Sequence, residues 1–114
     1  SEGTIHAGLF NCELECLGIR PVVPSPSRQA DVTSLIYDDI KAGRPPELSH
    51  FAAAEAELRA AGAEVIILGC TELSLIKRDY PIGSGFLDAM EVMARQSVLR
   101  CGSKLRREFR SLIT

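Results

Sequence analysis

The chain has 114 residues, 46% of them hydrophobic and 25% charged, with a formal net charge of −2. Those are the proportions of about one folded domain with an ordinary core, and they exclude a disordered chain. The charge gives no basis for binding nucleic acid or an anionic membrane, and no apolar run approaches the roughly 18 residues of a spanning helix.

The first predicted element is a helix over Thr4–Leu17, with Ile5, Leu9, Cys12 and Cys16 at helical spacing on one face and Gly18 beyond its end. Ile19–Val23 reads as a short buried strand closed by Pro24 and Pro26. A second helix is expected from Gln29 to Ala42, its apolar face carrying Val32, Leu35, Ile36 and Ile40, with Gly43 at its boundary. A third runs from Pro46 to Ala61, rich in alanine and glutamate. Glu64–Leu68 is a nearly continuous β-branched run that suits a parallel strand buried on both faces. A short helical turn is expected over Glu72–Ile76, a loop over Pro81–Gly85 that leaves room for a short strand near Ile82, and a long last helix over Leu87–Leu112, weakened at Gly102. Alternating helices and strands define an α/β fold, read as a three-layer parallel-sheet lobe spanning residues 1–114. Two or three strands make a small sheet, which suggests that part of the sheet, or a partner domain, lies outside these residues.

The N-terminal SEGTIHAGLF has neither a basic stretch nor a long apolar one, so it does not read as a secretory signal. The cysteines, Cys12, Cys16, Cys70 and Cys101, are irregularly spaced and read as reduced thiols of a cytoplasmic protein. Cys12 and Cys16 lie four apart, but no histidine motif joins them. They are expected to be buried structural thiols, with no metal bound.

The sharpest chemical feature is Gly69-Cys70-Thr71-Glu72-Leu73, which puts a thiol where a buried strand ends and a helical turn begins. Ligands of open α/β sheets bind beyond the carboxyl ends of the strands. Free N–H groups at a helix start favour a thiolate and also an anionic ligand, so Cys70 is expected to be the low-pKa cysteine. Thr71 can hydrogen-bond an anion through its hydroxyl or N–H. The alternative is a small apolar residue filling space at a strand end. Lys41 either complements the carbonyl end of its helix or reaches a substrate carboxylate. The cationic Arg100, Lys104, Arg106, Arg107 and Arg110 read as a solvated face.

Four segments then match a known family in order. They are Glu2-Gly3-Thr4-Ile5 through Leu9-Phe10, Val22-Val23-Pro24, Ile36-Tyr37-Asp38-Asp39-Ile40-Lys41-Ala42-Gly43, and Val65 through Leu73 with its Gly69-Cys70-Thr71-Glu72 core. A weaker match follows at Phe86-Leu87-Asp88-Ala89. On these residues the chain resembles the aspartate/glutamate racemases, from about Ser1 to Val98, specifically their second lobe. The resemblance implies two α/β lobes facing across a cleft, one cysteine from each, and no cofactor. It implies a two-base reaction in which one thiolate removes the α-proton of an amino acid and the opposite thiol returns a proton to the other face. Carried over by position, Cys70 is the second catalytic cysteine. Thr4 and Thr71 are carboxylate contacts, and Glu72 and Lys41 also belong to the substrate-binding set. The partners implied are a small amino acid or dicarboxylate and a complementary N-terminal lobe or a second copy of the chain. The family's first cysteine, in its CNT-type segment, has no counterpart in these residues; Cys12 and Cys16 match no such motif.

Overall fold

The computed structural model describes all 114 residues, which gather into two compact units, Ser1–Ala63 and Glu64–Thr114. The first contains α1 (Glu2–His6), α2 (Leu9–Cys16), α3 (Pro26–Ser34), a π-helical segment (Leu35–Ile40) and α4 (Leu48–Ala60). The helix predicted over Thr4–Leu17 is therefore two helices. Gly8 lies between them at φ 61°, a left-handed conformation that costs glycine no Cβ clash. Ser1, not Thr4, caps α1: its hydroxyl accepts the Thr4 N–H at 3.4 Å and lies 2.9 Å from the Thr4 hydroxyl.

The strand expected at Ile19–Val23 does not form, and residues 19–25 carry no regular structure. Pro21 and Pro24 bring no N–H to a ladder, so the apolar run cannot sustain strand pairing. Proline does fit the first turn of α3, where Pro26 follows the capping Ser25. Ser25 also ties α3 to α4, donating its N–H to Glu57 Oε1 at 2.6 Å and its hydroxyl to Oε2 at 2.9 Å. Those bonds, the backbone one above all, hold the Glu57 carboxyl below its ordinary pKa. Leu35, Ile36, Phe51 and Ala54 are the buried apolar side chains of this unit.

The second unit runs β1 (Ile66–Leu68), α5 (Thr71–Asp79), β2 (Phe86–Asp88) and α6 (Ala89–Arg100), followed by a 3₁₀ turn (Arg107–Phe109). β1 and β2 pair in parallel, with Ile66 opposite Phe86 and Leu68 opposite Asp88. Ile66, Leu68, Leu73, Ile76 and Phe86 are buried, so α5 turns one apolar stripe inward, three residues apart. The helix predicted over Leu87–Leu112 gives way to a strand, a shorter helix and a tail. Asp88 ends β2 and starts α6, and the helix stops at Arg100, ahead of Gly102 at φ 72°. The tail returns to the sheet, where Phe86 and Thr114 exchange N–H···O bonds of 3.0 and 3.1 Å. The long C-terminal helix of the sequence reading is thus corrected to 12 residues. The whole is a mixed, largely helical α/β arrangement with a two-stranded parallel sheet. No helix is long and apolar enough to cross a membrane.

Candidate functional site

The β-branched run that makes β1 ends at Leu68, and Gly69 and Cys70 carry the chain into α5. Cys70 occupies the capping position in extended backbone (φ −149°, ψ 158°), and no side chain closes the start of α5 with a hydrogen bond. Cys70 is half-buried, and burial pushes its thiol above the ordinary pKa. The Leu73 N–H pulls it back down, and the neighbouring Glu72 carboxylate raises it by charge and by hydrogen bonding. The Cys70 pKa is therefore raised, the reverse of the expectation drawn from the helix start alone. The helix end acts in the expected direction, but desolvation outweighs it.

Thr71 and Glu72 share the junction. The Thr71 hydroxyl donates to Glu72 Oε2 at 2.9 Å, so both side chains are held in the first turn of α5. Thr4 and Lys41 belong to the other unit. Thr4 is half-buried in α1 beside Ser1. Lys41 is exposed just past the π-helical segment, its ammonium 4.4 Å from the centroid of the Tyr37 ring, a cation–π contact. The π-helical winding appears in the bonds from the Lys41 N–H to Ile36 O (3.0 Å) and from the Arg44 N–H to Asp39 O (2.9 Å), both five residues back.

The other three thiols are elsewhere. Cys12 and Cys16 on α2 and Cys101 after α6 are all exposed, so the first two are not the buried thiols the sequence suggested. No cluster of three His, Cys, Asp or Glu side chains able to hold a metal ion occurs.

The neighbouring junction carries two residues that sequence reasoning did not place in the site. Asp88 is 2% exposed, a buried carboxylate. It accepts the Met90 N–H at 2.8 Å, the Glu91 N–H at 3.4 Å and the Ser74 hydroxyl at 2.7 Å. Ser74 Oγ also lies 3.2 Å from the carbonyl oxygen of Cys70. Asp88 was legible as a helix start, since Asp88 and Glu91 have the spacing of a capping box. Nothing in the sequence singles out Ser74.

Cys70 thus stands at the carboxyl end of a parallel strand, the place where ligands of open α/β sheets bind. The family model for Asp/Glu/Hydantoin racemase matches residues 1–97, and the chain belongs to that family. No solved structure matches it.

Proposed function

We propose that the chain is the second lobe of a cofactor-independent amino-acid racemase of the aspartate or glutamate class, and that Cys70 is one of its two acid/base thiols. The observation that carries this reading is the family match together with the position of Cys70 at the open start of α5. In the family's three-layer lobe, β1 and β2 are then part of a larger parallel sheet.

Inversion needs one base and one acid on opposite faces of the α-carbon. A base on the far face breaks the α-C–H bond, and the electron pair passes into an enolate-like carbanion. The Cys70 S–H then delivers its proton to the near face and becomes the thiolate. In the reverse direction the Cys70 thiolate is the base. Amide N–H groups at the start of α5 suit the α-carboxylate on which the charge builds, and the Thr71 hydroxyl joins them by turning its proton from Glu72 to the substrate. Burial raises the Cys70 pKa and Glu72 adds to that rise, and the resemblance assigns Glu72, Thr4 and Lys41 to substrate binding. Lys41 favours a substrate with a second carboxylate, which is the basis for naming the acidic amino acids. The far-face thiol comes from a complementary N-terminal lobe or from another copy of the chain. The reading places the protein in the cytoplasm, where thiols stay reduced.

The test is α-proton exchange of L-aspartate and L-glutamate in heavy water, followed by NMR beside a Cys70→Ala control. Exchange that disappears in the control is the expected result. A folded sample that binds the amino acid and exchanges nothing, with or without an added first lobe, overturns the assignment of Cys70 as an acid/base.

A further inference from the structure

We propose that Ser74, anchored by the buried Asp88 carboxylate, is the positioning residue of Cys70. A serine hydroxyl bonded to the carbonyl four residues back is common inside helices and by itself means little. Here the hydroxyl is shared. It donates to Asp88 Oδ1 at 2.7 Å while lying 3.2 Å from the Cys70 carbonyl, which also accepts the Ser74 N–H at 3.2 Å.

The direction of control follows from how firmly each partner is held. Asp88 is fixed before Ser74 reaches it, because it is buried, ends a strand and accepts two amides of its own helix. A buried carboxylate with such partners does not readily move. Ser74 is in the second turn of α5, and its only fixed point outside that helix is Asp88. The parallel register aligns the two junctions, setting Leu68 opposite Asp88 just before the chain reaches Cys70. Asp88 thus holds Ser74, and Ser74 holds the peptide of Cys70 in the extended conformation that turns the sulfur toward the Leu73 N–H.

The functional meaning of this contact rests on the racemase reading, but the positioning does not. The readout is therefore the chemistry of the thiol alone. Wild type, Ser74→Thr and Ser74→Val are alkylated with iodoacetamide at one pH, and the Cys70 peptide is followed by mass spectrometry, which separates it from the three exposed cysteines. Threonine and valine have the same shape and differ by the hydroxyl. Ser74→Val is expected to slow Cys70 alkylation about three- to tenfold, the worth of one hydrogen bond, and Ser74→Thr to restore it. Equal rates for the two variants, or a faster rate in Ser74→Val, overturn the proposal. If Ser74→Val does not fold, Ser74→Ala is the smaller deletion and is read the same way against wild type. Asp88→Asn keeps an oxygen for all three bonds and is expected to stay within about twofold of wild type; a loss as large as that of Ser74→Val overturns the anchoring role. A silent α-proton exchange assay would remove the racemase reading and leave these outcomes untouched.

Discussion

The two strand-to-helix junctions of the second unit start from the same geometry and finish it differently. Each carries a parallel strand into a helix, and each must deal with the unpaired N–H groups at that helix's start. At the β2–α6 junction, Asp88 fills that role itself and is almost wholly buried in doing so. At the β1–α5 junction the same position is held by Cys70, whose side chain makes no capping bond. One junction is built for stability. The other places a titratable thiol at its helix start in the position where Asp88 supplies a cap. The difference teaches where to look for chemistry in a small sheet: at the end left incomplete, next to the end that is finished.

The largest expected effect comes from breaking the finished junction. Asp88→Ala removes an N-cap and leaves the Ser74 hydroxyl without its carboxylate, and should cost about 2 kcal/mol in urea or thermal unfolding. The opposite change sharpens the comparison. Cys70→Ser supplies the missing cap in backbone already suited to one, and should gain roughly 0.5–1 kcal/mol in the same assay while abolishing α-proton exchange. A Cys70→Ser protein less stable than wild type would mean that the α5 start is already satisfied. The smallest effect concerns the thiol's proton. Because the Glu72 carboxylate raises the Cys70 pKa, Glu72→Gln should move the alkylation midpoint of Cys70 to lower pH and speed its reaction about twofold at mildly alkaline pH. A midpoint that stays put or rises would remove Glu72 from the control of that proton.

Much of the second unit was legible from its residues. The Glu64–Leu68 run located β1, because continuous β-branched apolar sequence has few other homes, and the Cys70 junction followed from where that run stops. β2 was not legible, because Phe86–Asp88 is too short to show a period and merges with the helix behind it. The first unit was harder. The break at Gly8 depends on a left-handed backbone that a helical spacing pattern does not register. The missing strand at 19–23 was recoverable from Pro21, which interrupts the run. The exposure of Cys12 and Cys16 was not recoverable, since helical spacing identifies a face without saying whether anything covers it. At the β1–α5 junction, residue types placed Cys70 but not the direction in which its pKa moves, because burial is a property of the fold. Ser74 enters only through its distance to a carboxylate 14 residues away.

The π-helical segment at Leu35–Ile40 carries a consequence of its own for Lys41. Each residue of an α-helix advances about 100° around the axis, so a turn wound with one extra residue rotates everything after it by about that much relative to an α-helical count. Lys41 and Tyr37, four apart and in contact, sit immediately at this change of phase. The aim of the ammonium is therefore set by the number of residues between Ser34 and Lys41 as much as by their identity. Loss of a single residue there would leave the composition of the segment almost unchanged and still turn the lysine a quarter of the way around its helix.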